Sequence, residues 1–293
     1  MDLTRPTRPL LTYGTYPSLL LLNGVGLWAG LTGRADRNAV IAGTTLLTVI
    51  VLFLVERINP LLDRWAMTGE SLLRRDLPFI GLAVLAEQAA TTAVAALAAA
   101  TVPAGGFGPV GRLPSAGQAV LALIGLDLLW YGYHRAAHTV DRLWRIHGAH
   151  HSPAQVYVLV HLVFHPIDLI VSRFVISMIV FRLTGMGPDA AFVAIVLLGL
   201  QQTVSHINSD LRLGWANYLV VGPETHRFHH AVGERGNYSE AISLWDLVFR
   251  TFHYHPDRVP EQLGLIDPAG YPDPRRFRAT LVWPFRATTP SAL

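Results

Sequence analysis

The sequence predicts an all-α fold, a polytopic integral membrane helical bundle, and three observations carry that expectation. Charged residues are only 15% of the chain and hydrophobic ones reach 51%, where soluble domains carry about a quarter charged. Apolar runs near 17–32, 39–55, 78–102, 115–133, 166–183 and 187–205 approach the roughly 20 residues that cross a bilayer. Pro, Gly or charged clusters separate them, as loops require.

The first run is short and holds Gly24, Gly26 and Gly30, so it reads as interfacial or re-entrant as readily as spanning. Arg5 and Arg8 are followed by Pro9 and Gly14 before it begins, which does not fit a cleavable signal. The second run ends in the loop Glu56 to Asp76, which carries Arg57, Arg64, Arg74 and Arg75, whereas the loop 103–114 carries only Arg112. Positive loops favour the cytoplasm. The third run then leads outward and the fourth returns, delivering His134 and His138 to the cytoplasmic side. Runs five and six form a hairpin through Thr184-Gly-Met-Gly-Pro188, so His206 emerges on that same side. Arg34 and Arg37 outside, and Arg173 and Arg182 in or at the end of a span, run against this orientation. Three regions result: N-terminal transmembrane helices over 1–114, a histidine-motif region with a transmembrane hairpin over 115–255, and a cytosolic tail over 256–293.

The chain contains 13 histidines, all between His134 and His255. Most fall into a ligand-like spacing: His134-x3-His138, His147-x2-His150-His151, a single His206, and His226-x2-His229-His230. On a helix, positions i, i+3 and i+4 share a face, so each group can converge. Eight unrelated burials of imidazole are a poor alternative to ligation, and imidazole is the commonest side-chain metal ligand. His206, alone by spacing, joins them by its place at the inner end of a run. Nine nitrogens exceed the about four to six that one ion takes, which predicts a di-metal site on the cytoplasmic side. With no cysteine, thiolate zinc sites, disulfides, iron–sulfur clusters and Cys-ligated haem are excluded.

Extending the first histidine pattern backward adds Tyr131 and Asp127 to its face. Asp127 is expected to orient a metal-bound imidazole, against the plainer alternative of a bond to a neighbouring helix. Tyr131 and Tyr157 are read as proton or radical neighbours, or else as interfacial aromatics. Glu87 reads as structural or channel-lining. His161 and His165 lie i, i+4 in an apolar run interrupted by Pro166 and read as supports of the ligands or as lining of a substrate channel rather than as ligands; His253 and His255 read as surface or interfacial residues.

These residues resemble the fatty acid hydroxylase superfamily, which includes sterol desaturases, C4-methyl sterol oxidases and alkylglycerol monooxygenase. The resemblance runs from Asp127 to Thr251 through Asp127, Tyr131, His134, Arg135 and His138; His147, His150, His151 and Ser152; His165-Pro166 with Asp168; His206 with Asn208; Pro223, Glu224, His226, His229 and His230; Asn237-Tyr238; and Trp245-Asp246 before Phe249 and Thr251. It implies an integral membrane enzyme with a histidine-bound di-iron centre facing the cytosol, oxidising C–H bonds of lipids with O2. It also brings Asn208 into the catalytic set with Asp127 and Tyr131. Three positions depart from the pattern: Gln202 stands where some members have a further histidine, Ser239 follows Asn237-Tyr238 where Gly is usual, and Arg250 precedes Thr251 where Gly is usual.

The expected cofactors are therefore two Fe ions, with O2 as co-substrate and electrons from an external donor. No His-Pro-Gly-Gly segment is present, and the Gly-rich stretch 104–111 lacks a dinucleotide-fold context. The expected partners are a membrane lipid substrate and a redox protein, for which Arg275, Arg276, Arg278 and Arg286 offer a docking surface unless the tail is simply solvated. Hydroxylation is marginally preferred over desaturation. Nucleic acid is not expected, because the formal charge is only +3 and the arginines are scattered. All 23 basic residues are Arg, a bias of GC-rich genomes that suggests a bacterial inner membrane. Alternative readings are a zinc hydrolase, disfavoured because H-E-x-x-H is absent, and a metal transporter, disfavoured because its ligands belong near mid-bilayer. A catalytically silent lipid-binding relative is disfavoured by the nearly complete ligand set.

Overall fold

The computed structural model describes residues 8–101, 110–267 and 270–286. The side chains of Glu87, Arg173 and Arg182 and most of the Gly-rich loop, at 102–109, lie outside the described residues. Each expected apolar run is helical. They form α1 (Pro9–Leu31), α2 (Arg37–Ile58), α4 (Leu77–Thr101), α5 (Ser115–Ala137), the broken pair α7 (Pro166–Leu169) and α8 (Ile176–Thr184), and α9 (Pro188–Ser205). A one-turn α3 (Gly69–Ser71) and a π-helical turn, Leu72–Asp76, lead into α4, and a second π turn, Ile170–Val175, joins α7 to α8. Among the described residues there is no strand, only three isolated antiparallel bridges.

Local chemistry explains where these helices begin and end. The Asp36 carboxylate accepts the Ala39 amide at 2.9 Å and caps α2. Pro188 opens α9, where its missing N–H costs nothing, and Gly185, at φ 64°, ends α8 in a conformation that residues with a Cβ rarely adopt. Among the described residues three helices, Arg37–Ile58, Ser115–Ala137 and Pro188–Ser205, are long and apolar enough to cross a membrane. The first run, α1, is one continuous helix packed on α2 and α9. Small residues allow that approach: a Cβ on Gly26 would lie 2.7 Å from Thr44, and one on Gly30 2.5 Å from Phe192. Asn23 adds a bond to Thr48 at 3.3 Å across the α1–α2 seam. Outward, Leu21, Leu46, Val84 and Leu85 are exposed, as a bilayer-facing surface requires.

One apolar core lies between α5, α8 and α9 around Leu126, Trp130, Ile176 and Leu198. A second joins α1, α2 and α9 through Leu19, Leu52 and Val204. At the end where α5 and α9 stop, a cap is built from α6 (Asp141–His151), α10 (Pro223–His229) and connecting loops, and from it the segment carrying α11 (Leu244–Val248) runs back along α5. Buried polar groups pin the cap to the bundle. Glu56, on α2, accepts the amides of Val158 at 3.0 Å and Asn208 at 3.3 Å. The buried Arg75–Asp76 pair, at 2.7 Å, holds the Tyr157 hydroxyl, which donates to Asp76 and accepts from Arg75. Tyr157 thus anchors the loop at the base of α4. The described part of the tail folds back, with Arg145 donating to the Arg286 carbonyl at 2.9 Å and α12 (Phe277–Val282) setting Phe277 edge-on against Phe79 at 4.9 Å.

Candidate metal centre

Four elements deliver the nine histidines to one place. The last turn of α5 supplies His134 and its C-terminal neighbour His138, α6 supplies His147, His150 and His151, and His206 directly follows α9. His226 and His229 lie in α10, and His230 ends it. Their ligand atoms form two groups, each with all its atoms within 4.8 Å of one another: His134, His138, His147, His151 and His229, then His150, His206, His226 and His230.

The division follows helical geometry. In α6 the i, i+4 pair His147 and His151 faces the first group while His150 turns to the second. In α10 the i, i+4 pair His226 and His230 faces the second while His229 turns to the first. The two copies of H-x2-H-H therefore cross over, each giving two imidazoles to one group and one to the other. The sequence spacing places all three histidines of each copy on one face, and the structure divides them between the two groups. The groups abut: the His151 and His230 rings are 4.5 Å apart.

Hydrogen bonds fix which nitrogen faces inward. Nδ1–H of His134 donates to the Tyr238 carbonyl at 2.7 Å, that of His150 to Val163 at 3.2 Å, that of His206 to Gln202 at 2.9 Å and that of His229 to Gly236 at 2.9 Å. His147 Nδ1 donates to the Asp168 carboxylate at 2.8 Å. A carbonyl cannot donate, so each of these rings presents an Nε2 lone pair to the interior. Nε2 of His151 and His229 lie 3.1 Å apart, and His206 Nε2 lies 3.2 Å from that of His150 and 3.0 Å from that of His226. The Nε2 atoms of His134, His138 and His147 are buried without any partner. Burial holds the imidazoles of His150, His151, His226 and His230 far below the usual histidine range, and pushes His229 down to about 3. Neutral, inward-facing, all-nitrogen donor sets of this kind fit two transition-metal ions.

Two pockets reach the centre. One of about 760 Å³ meets the first group at His138, His151 and His229 and has a polar rim of Glu234, Arg235 and Asp267. A smaller one, of about 340 Å³, meets the second group at His150, His206 and His226, between Trp130 and Phe164, with Gln202 and Glu240 joined by a side-chain hydrogen bond. Phe164 stacks on His150 at 4.1 Å.

Residues 119–251 match the family model described as fatty acid hydroxylase. The chain is 31% identical over 279 residues to an ornithine lipid hydroxylase of Rhizobium tropici, covering 88% of this chain and 81% of that protein. The chain belongs to the fatty acid hydroxylase superfamily. As a superfamily member it is also 30% identical to a very-long-chain aldehyde decarbonylase of Oryza sativa, over 56% of this chain and 28% of the relative. An alkylglycerol monooxygenase of Xenopus tropicalis is 25% identical, over 56% of this chain and 37% of the relative. No solved structure matches the chain.

Among the described hydrogen bonds, none joins the three residues expected to be catalytic to one of the nine imidazoles. Asp127 bonds no imidazole; its Oδ1 accepts the amides of Glu240 at 3.0 Å and Ala241 at 2.8 Å. Tyr131 stacks on Phe249 at 5.1 Å, pairs with Thr251 at 3.0 Å and accepts from Arg135 at 3.1 Å, with Tyr238 between its ring and the first histidine group. Asn208 brackets Leu62, accepting its amide at 3.1 Å and donating to its carbonyl at 2.9 Å. Asp127 and Asn208 thus hold loop backbone. The imidazole-orienting acid is instead Asp168, which also accepts the Tyr133 hydroxyl at 2.6 Å. Its sequence signal was an acid inside an apolar hairpin just after His165-Pro166. His165 caps α7 by accepting the Ile167 amide at 3.2 Å, and His161 lies beside the second group, 6.2 Å from the His206 ring. His253 and His255 belong to neither group.

Proposed function

We propose that the chain is an O2-dependent di-iron hydroxylase of a membrane lipid, with its metal centre facing the cytoplasm and its electrons drawn from an external redox protein. The observation that carries this reading is the pair of abutting histidine groups, in which five of the nine imidazoles bond outward through Nδ1–H and turn their Nε2 lone pairs inward. All nine histidines are assigned as ligands, five to one ion and four to the other. Bound there, an iron pair supplies the oxidising power that cleavage of an inert C–H bond with O2 demands.

The chain's own residues do the rest. Asp168 and the four backbone carbonyls hold the imidazole planes before any ion arrives, so little reorganisation is needed. Trp130 and Phe164 give the pocket beside the second group apolar walls, which receive a hydrocarbon segment and keep water out. Gln202 and Glu240 supply the polar contact for the substrate's head end. The polar-rimmed pocket beside the first group is the side from which the electron donor approaches. The ornithine lipid hydroxylase relative supports an amphiphilic membrane lipid as substrate, and hydroxylation over desaturation. The arginines of the loop after α2 support the cytoplasmic orientation.

The test is lipid mass spectrometry of cells with and without the intact gene, grown under 18O2, beside metal analysis of purified active protein. The expected product is heavier by one labelled oxygen, with two irons per chain. Undiminished product formation without oxygen, or full activity at one metal per chain, overturns the reading.

A further inference from the structure

The segment after the last histidine motif makes an unusual excursion along α5. It starts beside His134, whose Nδ1 donates to the Tyr238 carbonyl. The amides of residues 240 and 241 are then held by Asp127, and the Trp245 indole donates to the Ile124 carbonyl at 3.1 Å. The chain next turns back, with Phe249 stacked on Tyr131 and Thr251 bonded to it. From His134 to Ile124 is ten helical residues, about 15 Å at 1.5 Å per residue. Ile124 lies near the middle of α5, a helix long and apolar enough to cross a membrane. The tip of the excursion, α11, is therefore at the depth of the hydrocarbon.

Its surface chemistry agrees with that depth. Leu244, Leu247 and Val248, at i, i+3 and i+4, share one outer face and are 39%, 40% and 54% exposed. The polar groups of the tip turn inward, and the exposed Arg250 lies on the returning limb beside Tyr131, close to the end of α5, where its long side chain reaches the headgroup level. Asp246 is buried and accepts the amides of Tyr238 and Ser239, both at 2.8 Å, and the Thr251 hydroxyl at 2.7 Å. Ser243 donates its hydroxyl to the Asn217 carbonyl at 2.7 Å and its amide to Leu219 at 3.1 Å. Leu219, itself 58% exposed, continues the apolar surface. Water would penalise such a patch, whereas the hydrocarbon of a bilayer accepts an apolar exterior of this kind.

We infer that residues 238–251 form a re-entrant loop inside the bilayer, with the outer face of α11 against the acyl chains of the surrounding lipid. Ser239 and Glu240 of this loop also line the pocket beside the second histidine group, so the loop is the wall between that pocket and the hydrocarbon. The inference goes beyond the proposed reaction and does not depend on which metal is bound or whether O2 is used.

The chain has no cysteine, so Leu247→Cys and Val248→Cys each place a single thiol in the full-length protein. Each is labelled with an environment-sensitive maleimide fluorophore and reconstituted into phosphatidylcholine vesicles. Leu46→Cys, exposed mid-way along α2, is the lipid control, and Glu261→Cys, in an exposed cap loop, the aqueous one. Leu244→Cys, on the same face, replaces either variant that loses the wild-type thermal transition in detergent. Quenching of the α11 labels by doxyl-labelled acyl chains at the level of Leu46→Cys, with iodide quenching severalfold below that of Glu261→Cys, is expected. Iodide quenching equal to that of Glu261→Cys overturns the inference, as does shielding from both quenchers, which means a protein surface covers α11. Loss of O2 dependence in the lipid assay overturns the proposed function and leaves this result unchanged.

Discussion

Replacing Asp168 with Asn tests whether the first histidine group is tuned from outside. The carboxylate accepts His147 Nδ1–H at 2.8 Å and the Tyr133 hydroxyl at 2.6 Å, and both His147 and Asp168 are fully buried. Hydrogen bonds to a charged group contribute about 1.5–3 kcal/mol, and neutral ones about half as much. Asn keeps one acceptor oxygen, so His147 retains at best a neutral bond and loses about 1–1.5 kcal/mol. At about 1.4 kcal/mol per tenfold, this weakens metal binding by roughly tenfold, the lower end of the about 10–100-fold seen for partners of metal-bound histidines. Only the ion held by His134, His138, His147, His151 and His229 is expected to respond. The assay is competition between the purified protein and a fluorescent chelator for Fe(II) or Co(II), which resolves two dissociation steps. One step shifted by about tenfold with the other unmoved, at wild-type helicity, is the expected result. Equal weakening of both steps, or of neither, refutes the reasoning.

Ligation and bystander roles separate at three histidines: His150→Ala and His229→Ala abolish turnover in a membrane-inserted, helical protein, whereas His253→Ala leaves most of it, as product yield and circular dichroism report. Asp127→Ala deprives the Glu240 and Ala241 amides of their acceptor, at about 1–3 kcal/mol for each buried group; a thermal shift in detergent measures it, and metal content of the folded protein stays at the wild-type value. Acid acts on the metal-free protein through His229, whose value falls from the ordinary 6.5 to about 3 by burial. The unfolded chain takes up the proton first, so stability is complete above about pH 6.5 and is lost progressively as pH falls toward 3. Denaturant midpoints at pH 7 and pH 5 check the sign, and a metal-free protein no less stable at pH 5 contradicts it.

The helices and the histidine set were legible because each rests on a local pattern. An apolar run of spanning length has few alternatives, and imidazoles at i, i+3 and i+4 meet on any helix. What the spacing left open is which way each imidazole points. The crossing-over of His150 and His229 depends on how α6 and α10 face each other, a relation between segments 78 residues apart. The loop over 238–251 was missed for the opposite reason. Its helix, Leu244–Val248, is a single turn, far below any length that hydropathy reads as membranous. Its depth comes only from tertiary bonds to Asp127 and Ile124.

The acids near the centre show what the spacing of Asp127 leaves open. Glu56, Asp127, Glu224 and Asp246 each accept two backbone amides from loops: those of Val158 and Asn208, Glu240 and Ala241, Leu213 and Gly214, and Tyr238 and Ser239. Asp168 alone of the five takes an imidazole N–H. Irregular backbone next to a bilayer exposes donors that water cannot satisfy, and a carboxylate, with several lone pairs and no donor, can serve more than one. An intramembrane acid is thus as readily the consequence of a nearby loop as of a nearby metal. The rule that such acids are functional holds for both kinds, but it does not say which bond they make. Spacing pointed to Asp127 because it lies seven residues before His134, on one helical face. At about 10 Å along the axis, that separation is too long for a carboxylate to reach the ring. Asp168 reaches His147 from the facing hairpin, a distance that only the packing of α7 against α6 sets.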